Sequence, residues 1–444
     1  MLRVLLAIGL ILATSASATT QQMDQAALIS RAQDVVARLV SGDVEPLVPT
    51  LTDRMKAAID ADGLRRLIPG LALQFGVFKS QTGARFESQG VMRVVLVSCV
   101  FESATVDFRV AFDPNDRLAG LGVASPKPSV TYSAASYVTP SAFRDEPSTV
   151  DAGGWPLPAT LSMPIGDGPF PGVVLVHGSG PNDRDESIGP NKPFRDLAEG
   201  LASRGIAVLR YDKRTRTHAK RIGGLRHFTV KEEVVDDAVA AVRKMRETRG
   251  VRPDRVFVLG HSLGGMLAPR IAAAEPSVAG LVLMAAATKQ LEQAIVEQTR
   301  YLVMLDGKVS AEEEGALAAM TKLAADVQAL KPGDPPIVSP GISAPASYWL
   351  DLRGYDPPAA ASRLALPMLV LQGERDYQVT MDDYAAWQRA IGSRANVQMK
   401  SYPALNHLVL AGSGPSSPAE YSQAGHVDEA VVRDIAAWIT RENR

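Results

Sequence analysis

Apolar and polar positions follow one pattern in the first quarter of the chain and a different one beyond it. Residues 26–39 and 47–67 carry apolar side chains three and four positions apart, the spacing of amphipathic helices. Residues 83–123 follow with strand-like runs, among them the alternating segment 106–110. Helices followed by a group of strands are typical of α+β folds, so residues 22–123 are predicted to form a small α+β domain.

Five short runs in the second part of the chain consist almost entirely of apolar residues and alternate with helical patterns. Strands that are buried on both faces of a parallel sheet have this composition. Residues 141–444 are therefore predicted to form an α/β domain with a doubly wound, mostly parallel sheet. A stretch rich in Ser, Pro and Ala, residues 124–140, is predicted to be the linker between the domains. The five runs cover residues 172–177, 206–211, 255–260, 280–285 and 367–372.

About eighty residues interrupt this alternation between the fourth and the fifth run. They include two long helical patterns, 291–305 and 311–330, followed by a Pro-rich stretch over residues 332–345. The segment is too long for an ordinary connection, and ordered insertions at the end of a sheet strand commonly cover a site. Residues 287–366 are therefore predicted to form a helical lid.

Composition narrows the class of protein. The chain has 444 residues, 46% of them hydrophobic and 21% charged, which is close to the globular average, and its formal net charge is −1. A chain without excess positive charge has no field that gathers phosphates, so no nucleic-acid partner is expected. Cys99 is the only cysteine, so no intramolecular disulfide can form. Its strand-like surroundings predict a small buried residue rather than a reactive thiol.

The first twenty residues have the pattern of a secretory signal peptide. Arg3 precedes an apolar run over residues 4–12, and small residues that include Ala16 and Ala18 follow. The apolar run is about half of the roughly 20 residues that span a bilayer, which disfavours a membrane anchor. Cleavage is predicted after Ala18, so that residues 1–18 are removed. The protein is expected to be exported, periplasmic or secreted, without a stable membrane anchor.

The segment Gly260-His261-Ser262-Leu263-Gly264 joins a predicted strand to a predicted helix. In this context the G-x-S-x-G pattern is typical of a sharp turn that exposes a nucleophilic serine above a sheet. The two glycines are needed because side chains at their positions would collide in so tight a turn. Ser262 is therefore the candidate nucleophile.

A serine hydroxyl needs a general base, and the base is oriented by a carboxylate. In this kind of fold the acid follows a late strand, and the histidine comes after it on the last loop. His407 has this position, whereas His426 is expected to be a cap or surface contact at the start of the terminal helix. Asp376 is favoured as the acid. Glu374, the alternative, directly follows the predicted strand and can pair with Arg375.

The carbonyl group that such a serine attacks becomes an oxyanion, which backbone N–H groups stabilise. One donor is expected from Leu263, the residue after the nucleophile. The other is expected from the loop His177-Gly178-Ser179-Gly180, which follows an early strand. Ser179 is favoured as this second donor, with Gly180 as the alternative. His177 precedes the turn that carries the serine and is expected to have a structural role.

Several motifs stand together in this chain: His177-Gly178-Ser179-Gly180, Arg210-Tyr211-Asp212-Lys213-Arg214, Gly260-His261-Ser262-Leu263-Gly264-Gly265, Gly373-x-x-Asp376-x-x-Val379 and Asn406-His407. They resemble the motifs of α/β-hydrolases, specifically of an exported bacterial carboxylesterase-like group. The N-terminal part, through residues 76–79 and 112–121, is similar to a small domain of unknown function that precedes such hydrolases. One departure is Thr215, where a glycine often follows the Lys-Arg pair, which affects the expected shape of that loop.

The motifs and the resemblance together imply an α/β-hydrolase fold and a serine hydrolase with Ser262, Asp376 and His407 as its catalytic triad. The expected substrates are small-molecule carboxylic esters with small to medium acyl chains, cleaved through an acyl-enzyme. No metal or other cofactor is expected, because this mechanism needs none and the chain has no His-x-x-x-His or paired-Cys pattern. The sequence does not specify an oligomeric state.

Two alternatives to an esterase stay open. The same triad serves peptidases, amidases and thioesterases, and a cell-envelope binding protein with vestigial hydrolase activity belongs to a different class. Substrate contacts are expected from two glycines, one histidine and three aromatic residues of the lid. Packing of the lid on the body is an equal alternative for the aromatic residues. These six residues are Gly178, Gly180, His261, Tyr348, Trp349 and Tyr355.

Overall fold

The computed structural model describes residues 25–65, 67–68, 71, 78–89, 92–101, 105–124, 132–225, 227–339 and 342–441. The predicted signal peptide, residues 1–18, and residues 125–131 of the predicted linker lie outside the described residues. The chain divides into two compact units. Unit 1 takes the N-terminal part up to residue 127 together with residues 311–316 and 338–342, and unit 2 takes the rest.

Unit 1 combines helices with an antiparallel sheet of four strands in the order β1-β2-β3-β4. Alternate residues of β2 face the helices, so Cys99 lies in the core beside Val95 and Val97. Burial raises the pKa of the Cys99 thiol to about 12, which agrees with the predicted small buried residue. The elements are residues 25–41 (α1), a 3₁₀ turn at Glu45–Thr50, Asp53–Ala58 (α2), Ala61–Arg65 (α3), Phe78–Gln89 (β1), Met92–Phe101 (β2), Thr105–Phe112 (β3) and Leu118–Ala124 (β4).

Unit 2 contains an eight-stranded sheet in the order β14-β13-β10-β9-β7-β8-β6-β5. Its strands are Phe143–Asp151 (β5), Pro156–Pro164 (β6), Phe170–Val176 (β7), Ala207–Tyr211 (β8), Val251–His261 (β9), Leu281–Met284 (β10), Met368–Gly373 (β13) and Val397–Tyr402 (β14). The pairs β5–β6 and β6–β8 are antiparallel, and all other neighbours in the sheet are parallel. The five apolar runs form β7, β8, β9, β10 and β13, so the predicted mostly parallel sheet is confirmed.

Helices cover both faces of this sheet, and an apolar core lies on each face. In β7, Val174 and Val176 belong to one core and Val173 and Leu175 to the other, which explains why the strand is apolar throughout. The helices outside the insertion are Pro193–Ala202 (α4), Arg214–Thr217 (α5), Ala219–Ile222 (α6), Asp236–Arg246 (α7), Leu263–Ala274 (α8), Met381–Ile391 (α13) and Glu429–Arg441 (α14). A π-helical turn at Lys231–Val235 precedes α7, and 3₁₀ turns lie at Pro140–Ala142 and Pro418–Ser422.

The predicted insertion lies between β10 and β13. Both of its predicted long helices are present, and the Pro-rich stretch contains a short two-stranded sheet. Its elements are Leu291–Val303 (α9), Ala311–Ala329 (α10), Ile337–Ser339 (β11), Ile342–Ala344 (β12), Ala346–Arg353 (α11) and Pro357–Ser362 (α12). In the part of the chain that the structure describes, no helix is both long and apolar enough to cross a membrane.

Candidate active site

Ser262 occupies a sharp turn between the end of β9 and the start of α8. Its backbone has φ 52° and ψ −117°, a strained conformation for a residue other than glycine. The two glycines of the motif have no room for a side chain. A Cβ atom at Gly264 would overlap the carbonyl oxygen of Val176, and one at Gly260 would overlap the backbone of Gly264. The turn therefore has the geometry that the sequence predicts, and strain of this kind is typical of functional positions.

Asp376 and His407 follow the neighbouring parallel strands β13 and β14, so both lie at the carboxyl edge of the sheet. They are buried, and Nδ1 of His407 is 2.7 Å from Oδ2 of Asp376. The other carboxylate oxygen of Asp376 accepts hydrogen bonds from the backbone N–H groups of Gln378, at 2.8 Å, and Val379, at 3.0 Å. These two donors fix the orientation of the Asp376 carboxyl group.

The alternatives considered for the acid and the base have other partners. Glu374 accepts a hydrogen bond from the hydroxyl of Ser401 at 2.7 Å. The predicted pairing of Glu374 with Arg375 is wrong, because the Arg375 guanidinium instead forms an ion pair with Glu420. Nδ1 of His426 lies 3.0 Å from Oδ1 of Asp196. His426 precedes the terminal helix and contacts Asp196 in α4.

His261 is not a substrate contact, which corrects the prediction made from its place beside the nucleophile. It is buried, and both ring nitrogens have protein partners. Nδ1 lies 2.9 Å from Oε2 of Glu186, and Nε2 lies 3.0 Å from the carbonyl oxygen of His407. His261 therefore joins the turn that carries Ser262 to the loop that carries His407.

Glu186 completes this buried pair, and sequence reasoning missed it. Burial alone would lower the pKa of His261, but the charge of Glu186 and its hydrogen bond outweigh burial, so the pKa of His261 is raised. Burial likewise opposes ionisation of Glu186, and interactions headed by the charge of His261 outweigh it, so the pKa of Glu186 is lowered. Both directions favour an imidazolium–carboxylate pair. Glu186 also adopts φ 51°, a left-handed backbone conformation that is uncommon outside functional positions. No sequence pattern marked Glu186 as the partner of His261.

The loop after β7 lies against Ser262, the candidate nucleophile. A Cβ atom at Gly178 would be 3.2 Å from Cβ of Ser262, so glycine leaves room beside the serine. The N–H of Gly178 donates to Oε1 of Glu186 at 2.6 Å, so it is not free to bind a substrate. Of the substrate role predicted for Gly178, only the room that it leaves beside Ser262 remains. Among the described residues, the N–H groups of Ser179, Gly180 and Leu263 have no acceptor, so all three are available as oxyanion donors.

The charged motif at the end of β8 forms buried and partly buried ion pairs. Arg210 pairs with Asp145 and Asp185, Arg184 with Asp212, and Arg214 with Asp237. Lys213 pairs with Glu233 and also donates to the carbonyl oxygen of Gly178, each at 2.8 Å. Thr215, the departure from the usual glycine, lies within the short helix α5, so the loop there is helical.

The three aromatic residues predicted in the lid pack on the body instead of lining the site. The Trp349 side chain is 1% exposed, and Tyr348 belongs to the apolar core of unit 2. The Tyr355 hydroxyl donates to the carbonyl oxygen of Met266 in α8 at 3.1 Å. The packing alternative therefore fits them, because Tyr348 and Trp349 are buried and Tyr355 is hydrogen-bonded to α8.

A different part of the insertion approaches the catalytic loops, and sequence reasoning missed it. Tyr301 in α9 stacks on Tyr377, the residue after Asp376, with ring centroids 4.9 Å apart. The side chain of Gln298 donates to the carbonyl oxygen of Gln378 at 3.1 Å. These contacts place α9, rather than α11, beside the acid. Helical spacing in residues 291–305 predicted the helix but not its neighbour.

His177 has the structural role that was expected. It is buried between Phe194 and Tyr211, with ring centroids 4.9 and 5.4 Å away. Burial lowers the pKa of His177 to about 4, so the ring is neutral at ordinary pH.

Comparisons with known proteins agree with this architecture. A family model described as "Serine aminopeptidase, S33" matches residues 173–413, and one described as "Protein of unknown function (DUF3887)" matches residues 32–121. The chain is 38% identical over 407 residues to Esterase EstD of Thermotoga maritima, an alignment that covers 91% of this chain and 94% of that protein.

Two solved structures align with part of this chain. The first is Est1E of Butyrivibrio proteoclasticus with bound ferulic acid, at 16% identity and a TM-score of 0.45, covering 67% of this chain and 99% of that one. The second is an esterase of Pyrobaculum calidifontis, at 19% identity and a TM-score of 0.44, covering 68% of this chain and 85% of that one.

Proposed function

The chain belongs to the serine aminopeptidase S33 family of α/β-hydrolases, and from this premise we propose that it is a carboxylesterase-type serine hydrolase. The observation that carries the proposal is the hydrogen bond between Nδ1 of His407 and the carboxylate of Asp376. Because a carboxylate only accepts, Nδ1 carries the proton and Nε2 of the neutral ring is free to take one. Ser262 supplies the proton and the nucleophile.

The proposed reaction has two halves. Nε2 of His407 removes the hydroxyl proton as Oγ of Ser262 attacks the ester carbonyl carbon, and the carbonyl oxygen becomes an oxyanion held by the N–H groups of Leu263 and Ser179. The bond to the alcohol oxygen then breaks, and His407 gives its proton to the leaving alcohol. A water molecule, deprotonated by His407, then attacks the acyl carbon. The bond from this carbon to Oγ of Ser262 breaks, His407 returns its proton to Oγ, and the carboxylic acid is released.

Carboxylic esters with small to medium acyl chains are the proposed substrates. The 38% identity to Esterase EstD over 91% of the chain supports an ester rather than another acyl compound. A formal net charge of −1 suits neutral substrates. The contacts of α9 with the loop that carries Asp376 support residues 287–366 as a lid over the site.

Hydrolysis of p-nitrophenyl esters of graded chain length tests the proposal. Ser262→Ala is expected to lower kcat by about 10⁴-fold or more, because it removes the nucleophile. Ser362→Ala, which changes an exposed serine of α12, serves as the matched control and is expected to hydrolyse the esters at the wild-type rate. A fluorophosphonate probe is expected to label the wild type and the control but not Ser262→Ala. Equal turnover by the wild type and Ser262→Ala would exclude the proposed function.

Peptide bonds are the second candidate substrate, because the matching family model is described as a serine aminopeptidase. Esters, thioesters and peptidyl amides that share one acyl group separate the candidates when kcat/KM is compared, since this ratio reports discrimination in the transition state. The ester is expected to have the highest kcat/KM. A higher value for the peptidyl amide would replace the esterase proposal with a peptidase.

Export to the periplasm or the medium is also proposed, from the signal-peptide pattern of residues 1–18. Fractionation of producing cells, followed by N-terminal sequencing, is expected to find the protein outside the cytoplasm with Thr19 as its first residue. A protein that keeps Met1 and stays in the cytoplasm would contradict export.

A further inference from the structure

Lys213 is a buried ammonium group beside the active-site loop. Its side chain is 2% exposed, and Nζ donates to Oε1 of Glu233 and to the carbonyl oxygen of Gly178, both at 2.8 Å. Removing an ammonium group from water is costly unless it is paired and hydrogen-bonded. Glu233 neutralises the charge, and the carbonyl oxygen of Gly178 accepts a hydrogen bond from another N–H of the ammonium. The ion pair with Glu233 alone does not explain why the ammonium also donates to this one backbone carbonyl oxygen.

The carbonyl that Lys213 contacts belongs to the peptide unit whose N–H is that of Ser179. In a planar trans peptide the C=O and the N–H point in opposite directions, so holding the carbonyl oxygen also holds the N–H. Nδ2 of Asn182 donates to the same oxygen at 3.2 Å. On the other side of Gly178, its N–H is held by Glu186 at 2.6 Å. The residue is thus held by an ammonium at its carbonyl and by a carboxylate at its N–H.

We propose that Lys213 is a positioning residue of the oxyanion hole, which orients the N–H of Ser179 toward the substrate carbonyl. The inference rests on the function proposed above and names the group that keeps its second donor in place. The positive charge at the carbonyl also polarises the peptide, which strengthens the N–H as a donor. Because the oxyanion exists only after Ser262 attacks, the effect belongs to the transition state and therefore to kcat.

Glu233 holds Lys213 from the opposite side. It lies in the π-helical turn Lys231–Val235, and irregular turns of this kind are frequent at functional sites. The pKa of Tyr348 in the insertion is raised well above its ordinary value, first by burial and then by the nearby charge of Glu233. The contacts therefore run from Glu233 through Lys213 to the Gly178–Ser179 peptide.

Lys213→Met is the direct test, because methionine keeps an unbranched side chain and removes the charge. Arg214→Met is the matched control. Arg214 is the next residue and forms a similarly buried ion pair with Asp237, but it does not contact Gly178. Each variant is first titrated with a fluorophosphonate probe, so that kcat for a p-nitrophenyl ester is expressed per labelled Ser262. Lys213→Met is expected to lower kcat by about 30-fold, somewhat less than the loss of a whole oxyanion donor, with KM unchanged.

The control separates positioning from stability. Arg214→Met is expected to lower the melting temperature as Lys213→Met does, while keeping the wild-type kcat per labelled site. A kcat of Lys213→Met equal to that of Arg214→Met would overturn the proposal. Absence of labelling and turnover in the wild type would instead refute the proposed function, so the two failures are distinguishable.

Asn182→Ala keeps the proposal testable if Lys213→Met does not fold. Asn182 is half-buried and donates to the same carbonyl oxygen, so its removal weakens the same anchor without leaving a buried charge. The variant is expected to lower kcat by about 5-fold with KM unchanged, the effect of losing one hydrogen bond. An unchanged kcat in Asn182→Ala would mean that weakening the hold on this carbonyl oxygen does not disturb the donor, which would contradict positioning through that oxygen.

Discussion

Gly264 lies where α8 begins beside the loop after β7, and backbone atoms surround it. A Cβ atom there would lie 2.7 Å from the carbonyl oxygen of His177 and would overlap that of Val176. Carbonyl oxygens of a sheet strand and its loop cannot move aside as a flexible side chain can. The glycine that the motif contains is therefore a steric requirement of packing the start of α8 against the end of β7.

Gly264→Ala tests this requirement at the residue scale. The change is expected to lower the free energy of unfolding by about 3 kcal/mol or more, because it overpacks a site bounded by backbone. Unfolding in urea, followed by circular dichroism, measures it. The control is Gly224→Ala, where the nearest atom to an added Cβ is 3.6 Å away, and it is expected to change stability by less than about 1 kcal/mol. Equal effects of the two substitutions would contradict the steric explanation.

At the scale of elements, the loop that carries Asp376 is held at its far end by the first turn of α13. Thr380 and Asp383 form a capping box, in which Thr380 accepts a backbone hydrogen bond and its own N–H donates to Asp383 at 3.1 Å. Asp383 also accepts hydrogen bonds from the N–H and the hydroxyl of Thr288, at 2.8 and 2.7 Å. The start of the helix thus ties the acid loop to the segment after β10.

Thr380→Ala is expected to lower the free energy of unfolding by about 1 kcal/mol, the usual effect of losing an N-cap side chain. Thr380→Ser keeps the accepting hydroxyl and is expected to lower it by no more than a few tenths of a kcal/mol. Denaturant unfolding of both variants measures the difference. If serine and alanine destabilise the protein equally, the cap does not act through its hydroxyl.

At the scale of the whole molecule, two buried histidines differ in the direction in which their surroundings shift the pKa. His177 is buried, and burial outweighs the nearby charge of Glu186 and lowers the pKa of His177 to about 4. His261 is equally buried but is paired with Glu186, and its pKa is raised. Two histidines near one loop thus have opposite protonation states, because only one of them has an ionic hydrogen-bond partner.

We expect the free energy of unfolding in acid to depend on the lowered pKa of His177. An unfolded histidine takes up a proton below about pH 6.5, whereas the folded ring does so only near pH 4, so the unfolded state binds more protons between these values. The free energy of unfolding therefore falls as pH falls through this window, by about 2 to 3 kcal/mol at pH 4.5. His261 acts in the opposite sense: its contribution is complete below about pH 6.5 and is lost as pH rises through its raised pKa.

Urea unfolding of the wild type and His177→Gln at pH 7 and pH 4.5 isolates the His177 contribution. The variant is expected to lose about 2 to 3 kcal/mol less than the wild type on acidification. His227→Gln, at an exposed histidine, serves as the control and is expected to follow the wild type. Parallel pH profiles for the wild type and His177→Gln would show that His177 does not cause the acid sensitivity.

The sequence by itself determined the features that neighbours along the chain encode. Continuous apolar runs predicted five strands of the sheet, and helical spacing predicted both long helices of the insertion. The order of the motifs was enough to select Asp376 and His407, which the structure brings within 2.7 Å of each other. Chain order is informative here because successive parallel strands deliver their following loops to one edge of the sheet.

The tertiary structure decided which distant residues meet. Glu186 lies 75 positions from His261, Lys213 lies 35 positions from Gly178, and His261 reaches the backbone of His407 across 146 positions. The tertiary structure also buries His261 and Trp349, which were predicted to contact the substrate. These contacts depend on the strand order, in which β7 lies between β9 and β8, and on close packing of buried side chains. The hydrophobic periodicity of the sequence predicts neither the strand order nor this packing, because it indicates only which face of an element is buried and not which element covers that face.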